Sequence, residues 1–221
     1  MKINTLFQQN EKIRTKGAVI VVDILRAATV EAFLLAQGAT RILPVETVDE
    51  AFMLKKNYPD YLLVGEENGY PIKGFDFGNS PSQIHKRDFS GKTIVHRSSN
   101  GTRQLLLVDA NSILLGSLIT ISNTYRYLSK QNISTTSLIG AEEDDKIFFK
   151  AWEQLANEKR LNKQKIRQEL IKSAMNSYFF NDAIPEFPKK DVFLSASVDR
   201  FDFACVVTKE NGRLVTKKVI A

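Results

Sequence analysis

The sequence has one cysteine, two histidines and no long apolar run in 221 residues. A lone Cys205 can form neither an internal disulfide nor a zinc cage, and it fits a reducing compartment such as the cytoplasm. It lies in an apolar stretch, Phe203–Val207, with no activating neighbour, and reads as a buried, inert thiol. There is no Gly-x-Ser-x-Gly elbow. With only His85 and His96 available, a serine-hydrolase triad is not expected, and both histidines read as ordinary polar residues. The most apolar run, Ala18–Val22, is far too short to cross a membrane, and Met1–Lys12 lacks the apolar core of a signal peptide. Fixed repeats and low-complexity linkers are also missing.

What is present suits a globular chain with a substantial core: 43% hydrophobic and 25% charged residues. The formal charge is +6, with pI about 9.3, a balance that suits phosphates or nucleic acid. Residues 1–150 carry 18 basic against 16 acidic side chains, and residues 151–221 carry 13 against 9. The excess is therefore thin. Lys163, Lys165, Arg167 and Lys172 alternate with Gln, Glu and Ile, the pattern of a solvated helix face rather than a nucleic-acid stripe.

Apolar periodicity predicts strands at Ala18–Val22, Arg41–Val45, Tyr61–Val64, Lys92–His96, Ser112–Leu115 and Ser134–Ile139. Helices are predicted over Arg26–Gln37, Val48–Asn57, Thr102–Asp109, Leu118–Lys130, Glu143–Asn157 and Lys163–Asn181. Two further strands, Phe203–Val207 and Arg213–Val219, flank a Glu210-Asn211-Gly212 turn. This alternation predicts an α/β fold, layered α/β/α, with a largely parallel or mixed sheet. One domain over residues 1–221 is expected, with a subdomain from about residue 158 as the alternative.

Ligands of open α/β sheets bind where strand C-termini meet helix N-termini, which makes those places the candidates for a site. Asp23 directly follows a buried strand, placed to hold a metal or attack phosphorus, and Arg26 could clamp phosphate oxygens. A capping Asp23 paired with Arg26 explains the spacing equally well. Glu66 follows the strand at Tyr61–Val64, and the long Gly65–Pro81 stretch offers Asp76, Asn79 and Ser80 as oxygen ligands or phosphate partners. A tight turn is its plainer explanation. Ser98–Arg103 opens a helix with backbone N–H groups around Gly101, flanked by Ser99, Asn100, Thr102 and Arg103, an anion cradle without the Walker ending. Glu142-Glu143-Asp144-Asp145 suit a helix start, but four adjacent acids repel one another, and a divalent cation would relieve that.

Taken together these segments resemble the 2-phosphosulfolactate phosphatase family. The family's Asp-x-x-Arg-Ala is matched by Asp23–Ala27 and its Gly-Glu by Gly65-Glu66. Its Gly-Phe-Asp-x-Gly-Asn-Ser-Pro is matched in full by Gly74–Pro81. Its Thr-Thr-Asn-Gly-Thr-Arg appears as Ser98–Arg103, and its Glu-Asp pair as Glu143-Asp144. The resemblance implies a cytoplasmic, magnesium-dependent phosphomonoester hydrolase acting on 2-phosphosulfolactate, a step of coenzyme M biosynthesis, or on a related phosphorylated hydroxy acid. In it Mg²⁺ would be held among Asp23, Glu66, Asp76, Glu143 and Asp144. Asp23, Arg26 and Arg103 would be catalytic, and Asn79, Ser80, Ser99, Asn100, Gly101 and Thr102 would bind substrate. The nucleophile is either a water on the metal or a carboxylate such as Asp23. The expected partner is a small phosphorylated acid, with no nucleic acid or membrane; a homodimer stays open. The sequence departs from the pattern at Phe148-Phe149, where the family tends to have Ala-Gly, and in a short Gly140–Glu143 connection. Bulk there suggests an alternative: a homologue that binds a small anion without hydrolysing it.

Overall fold

The computed structural model describes residues 2–7 and 11–221; Met1 and residues 8–10, part of the stretch read above for a signal peptide, lie outside the described residues. Its strands are β1 (Lys2–Phe7), β2 (Ile13–Val22), β3 (Arg41–Pro44), β4 (Leu62–Glu67), β5 (Tyr70–Pro71), β6 (Thr93–Arg97), β7 (Val108–Gly116), β8 (Thr135–Gly140), β9 (Phe203–Glu210) and β10 (Arg213–Ile220). Its helices are α1 (Ala27–Ala36), α2 (Val48–Asn57), α3 (Pro81–Ile84), α4 (Gly101–Leu106), α5 (Ile121–Lys130), α6 (Asp145–Glu158), α7 (Lys163–Ala174) and α8 (Lys189–Ser195).

The strands form one sheet in the order β1-β8-β2-β7-β9-β10-β3-β6-β4-β5. β1, β8, β2 and β7 run parallel, as do β3, β6 and β4, and the antiparallel hairpin β9–β10 joins the two sets. The class is α/β with a mixed sheet. Three antiparallel junctions separate the sets, so they point opposite ways. Six strand-to-strand steps separate β2 from β4. At about 20–25° of twist per step, they accumulate about 120–150° and turn the oppositely directed strand ends toward each other.

What the sheet curls around is α1. Its sequence, AATVEAFLLA, is apolar on nearly every side, and residues Ala27–Leu35 are all buried. Val30, Phe33 and Leu34 share one core with Val19 and Val21 of β2 and with Ile42, Val64 and Ile94 of β3, β4 and β6. The alternate β2 residues, Ile20 and Val22, face a second core with Leu114, Leu138, Phe148, Trp152 and Leu170. Asp23 follows the last residue of this doubly buried strand, at the seam of the two cores.

Several boundaries differ from the periodicity reading. α4 ends at Leu106, because Val108–Ala110 leave the helix to pair with Ile13–Thr15 of β2. The helix expected to run to Asn181 stops at Ala174, and a separate 3-10 turn spans Tyr178–Phe180. Ile166, Leu170 and Ala174 form its buried stripe, while Tyr178 is 65% exposed. At the terminal hairpin Asn211 and Gly212 both take positive φ, 49° and 82°, the conformation a two-residue hairpin turn needs. No described helix is long and apolar enough to cross a membrane.

Candidate active site

A cavity of about 530 Å³ opens where the loops after β2, β4, β6 and β8 meet. Asp23, Glu66, Glu142, Glu143 and Asp144 contribute five carboxylates to its lining, and Asn68, Asn79, Ser99 and Asn100 contribute neutral polar groups. Arg26 is the one cation among its described lining residues.

Asp23 is 8% exposed, and its Oδ1 accepts the Ala27 N–H at 2.8 Å, so it does cap the start of α1. The start of α4 abuts its other oxygen. A Cβ on Gly101 would stand 2.7 Å from both Asp23 Oδ2 and Ala27 Cβ, so only glycine lets α4 approach this closely. The acids after β8 are brought to Asp23 by Asp145, which is buried and lies behind the cavity. Its carboxylate accepts the backbone N–H of Ile24 at 3.0 Å from the β2 loop, and of Ala141 at 3.0 Å and Glu142 at 3.1 Å from the β8 loop. The two loops are thereby locked in register, with Glu142 and Asp144 at the lining.

Glu66 organises a third loop. Its Oε1 accepts Ser99 N–H at 2.5 Å, and its Oε2 accepts Gly69 N–H at 2.6 Å and Ser99 Oγ–H at 3.0 Å. These bonds tie the β6–α4 loop to the β4–β5 hairpin, whose Asn68-Gly69 turn has φ of 53° and 86°. Both Glu66 oxygens are thus engaged. Asn79 is held from behind: His96, fully buried, places Nε2 at 3.1 Å from Asn79 Oδ1 and Nδ1 at 2.8 Å from Glu31 Oε1. His96 is therefore a support of the lining rather than the ordinary strand-end residue its sequence context suggested.

Arg26 lines the cavity in a different role from a free phosphate clamp. Its Nη1 donates to Glu186 O at 2.8 Å and meets Asp191 Oδ2 at 3.3 Å, and its Nη2 donates to Gly69 O at 2.9 Å. The guanidinium carbon lies 4.7 Å from the Phe187 ring centre and 5.4 Å from that of Phe179. Arg26 staples the β4–β5 turn to the segment before α8, with its side chain 4% exposed. It pairs with Asp191, and Asp23 is not its partner.

Of the residues singled out by sequence, Asp23, Arg26, Glu66, Asn79, Ser99, Asn100, Glu143 and Asp144 line the cavity. Gly101 and Thr102 sit directly behind Asp23, around a small void. Ser80 points elsewhere, donating to Asp191 Oδ1 at 2.9 Å. Asp76 stands apart as a structural tie: its Oδ2 accepts Leu63 N–H at 2.8 Å and lies 3.6 Å from Lys55 Nζ. Arg103 is exposed on α4 and is not among the cavity lining. Phe148 and Phe149 are in the second core, Phe148 stacked on Trp152 at 5.8 Å and Phe149 against Gly140, so neither fills the cavity. Glu142 also lines the cavity, though the resemblance does not place it among the ligands; its place in the acidic run next to Glu143 is the sequence signal for it. Asp191, 165 residues from Arg26 along the chain, gave none.

The carboxylates press on one another. Burial, with the Glu66 and Glu142 charges, pushes Asp23 up to about 6, against opposing help from the Ala27 N–H and His96. Burial, with the Asp23 and Glu142 charges, pushes Asp144 up to about 7. Asp145 is raised by burial and by both neighbouring aspartates despite its three amide donors. Asp144 Oδ2 is buried without any hydrogen-bond partner. Among the described residues no three Asp, Glu, His or Cys side chains stand as a ready-made chelate. A buried, partnerless carboxylate oxygen beside a second strained aspartate fits a hard cation that takes one or two carboxylates and keeps its waters for substrate oxygens, as Mg²⁺ does.

Fold and site together define an α/β protein with an acid-lined cleft at its strand ends, the place where such folds carry out chemistry. The family model for 2-phosphosulpholactate phosphatase matches residues 4–151. The chain belongs to that family. It is similar to proteins named "Probable 2-phosphosulfolactate phosphatase" from Carboxydothermus hydrogenoformans, 43% identical over 136 residues, covering 60% of this chain and 56% of that protein. The protein of the same name from Caldicellulosiruptor saccharolyticus is 39% identical over 154 residues, covering 66% and 64%. That from Bacillus subtilis is 38% identical over 112 residues, covering 50% and 49%. The matches thus span about half to two thirds of these relatives.

Proposed function

We propose that this chain hydrolyses phosphomonoesters in the acid-lined cavity with the help of a divalent cation, Mg²⁺, in the cytoplasm. Asp23 and Asp144 would hold the ion, with Glu142 beside them. The observation that carries this reading is the buried, partnerless Asp144 Oδ2 next to Asp23, both carboxyls pushed above their ordinary range. When bound, the cation supplies the positive charge that a phosphate dianion and its transition state require among five carboxylates.

The chain's own groups then orient the ester. Asn79, fixed by His96, and Asn100 present neutral polar atoms to the cavity, and Asn100 Nδ2 reaches Glu142 at 2.7 Å, whereas the N–H and O–H of Ser99 are already given to Glu66. In the hydrolysis a bond forms between water oxygen and phosphorus while the phosphorus–oxygen bond to the alcohol breaks. One proton of the water passes to the leaving alkoxide, and Glu142, exposed at the cavity lining, would carry it. The substrate in the relatives' names, 2-phosphosulfolactate, is the first ester to assay, as a small-molecule partner without nucleic acid or membrane. The reading of a binder that has lost hydrolysis rested on Phe148-Phe149, and these stand in the core.

The test is release of inorganic phosphate from 2-phosphosulfolactate and a panel of small phosphomonoesters. Turnover with Mg²⁺ that stops in excess chelator is expected. Release unchanged by chelation would reject the cation, and no release from any ester would reject the phosphatase.

A further inference from the structure

α1 is apolar on nearly every side, yet its middle carries a carboxylate. Glu31 stands between Val30 and Ala32 of the first core and is 1% exposed. Its partner is His96 of β6, itself fully buried. His96 Nδ1 lies 2.8 Å from Glu31 Oε1, and Nε2 lies 3.1 Å from Asn79 Oδ1. Glu31 Oε2 is buried with no hydrogen-bond partner among the described residues. Two ionisable groups this deep in a core are costly unless each neutralises the other. The chemistry proposed at Asp23 and Asp144 uses neither of them.

The hydrogens along this chain of groups fix which way Asn79 faces. When Glu31 is ionised, its Oε1 and Asn79 Oδ1 are both acceptors, so the ring between them must donate from both nitrogens. If instead Glu31 holds the hydrogen, it donates to Nδ1 and the ring still donates from Nε2. Either way the pair is neutral as a whole and Nε2 carries a hydrogen. Asn79 then offers Oδ1 to His96 and keeps Nδ2 for the cavity it lines, where Nδ2 meets no acceptor among the described residues. A ring with a bare Nε2 would draw Nδ2 and turn the amide oxygen toward the cavity. That difference matters to an anion, because the lining already carries five carboxylates. Its other donors are engaged: Arg26 with Glu186 and Gly69, Ser99 with Glu66, and Asn100 with Glu142.

We propose that Glu31 and His96 are positioning residues that hold the Asn79 amide with its Nδ2 hydrogens toward a phosphoryl oxygen of the substrate. The inference rests on the phosphatase reading above, and its test separates the two. Nitrogen NMR of the full chain with ¹⁵N-labelled histidine rings, using His85→Gln to assign the two histidines, reads the hydrogen on His96 Nε2 directly. A hydrogen on Nε2 is expected, and a bare Nε2 overturns the inference. Kinetics with Mg²⁺ and 2-phosphosulfolactate then test the consequence. Glu31→Leu and His96→Leu are made together, which leaves no half of the pair buried alone, and the same exchange is made in an Asn79→Ala background. Loss of the pair should lower kcat/KM by about tenfold or more where Asn79 is present, and by less than about twofold in Asn79→Ala. A merely structural pair would cost as much in both backgrounds. Equal losses, or no loss where Asn79 is present, therefore overturn the inference while leaving the phosphatase intact. If the unmodified protein turns over no phosphomonoester, the phosphatase reading fails instead. In that case, or if the double replacement does not fold, His96 Nε2 decides the inference alone: a bound hydrogen supports it and a bare nitrogen overturns it.

Discussion

Asp23 and Asp144 show how single residues set conditions for the whole site. Burial and neighbouring acids lift both, to about 6 and about 7 from an ordinary 3.8. A raised carboxyl in the native state keeps a proton that the unfolded chain would release. Without a cation, then, stability falls as pH rises from about 4 to about 7, through the interval between unfolded and folded values. Melting curves of metal-free protein should show a lower Tm at about pH 7.5 than at about pH 5, and added Mg²⁺ should restore more at the higher pH. A Tm that rises with pH over this interval would show that these carboxyls are relieved in some other way. Glu142 faces both groups with like charge, Glu66 faces Asp23 with like charge and His96 faces Asp23 with opposite charge, so the site responds as a set. Arg26 is the contrasting residue. The sequence leaves it either a phosphate clamp or a partner of Asp23; the structure gives its guanidinium two carbonyls, Asp191 and two aromatic faces. Arg26→Ala removes the counter-charge of a fully buried carboxylate and should cost about 3–5 kcal/mol in chemical denaturation. A loss below about 1 kcal/mol would contradict the staple.

At the scale of elements, the legible and the hidden parts of this protein divide by the range of the interaction. α2 is read from the sequence with its bounds intact, because Thr47 caps it locally, accepting Glu50 N–H, and the acids and lysines suit its two ends. The β9–β10 turn was equally local. β7 was only half legible: its outer residues, Val108–Ala110, look helical until Ile13–Thr15 are brought beside them from almost a hundred residues away. β1 is a half-exposed edge strand whose partner is β8, and nothing in its own residues declares that pairing. The site follows the same rule. Glycine and acid motifs at strand ends located Asp23, Glu66, Ser99 and Asp144, since those features are local. That Asp76 would bond to Leu63, and Ser80 to Asp191, depended on where distant segments fell. α4 carries the sharpest test at this scale. Gly101→Ala puts a methyl group 2.7 Å from Ala27 Cβ and Asp23 Oδ2, so α4 must withdraw. A stability loss of about 1–3 kcal/mol is expected with a larger fall in phosphate release, from denaturation and kinetics on one preparation. Unchanged values in both would show that the contact is not needed.

For the whole molecule, the net charge of +6 is a poor guide to the site. Among the described residues the cavity is lined by five carboxylates and one cation, so the basic excess lies elsewhere. The arrangement depends on a sheet that twists far enough for oppositely directed strands to deliver Asp23 and Glu66 to one cleft, around a helix apolar on nearly every side. Cys205, in the middle of that sheet, is buried, and burial pushes its thiol far above the ordinary range, which agrees with an inert role. The central claim, that the acid-lined cleft is a cation-dependent phosphatase site, is tested most directly by phosphate release measured against Mg²⁺ concentration in the unmodified protein and in Asp144→Asn. The account predicts saturable activation by Mg²⁺ in the former. In the variant it predicts a fall of about a hundredfold or more in turnover, with the fold retained or stabilised because a repelled buried charge is gone. Equal release from both proteins, or release indifferent to Mg²⁺, would contradict it.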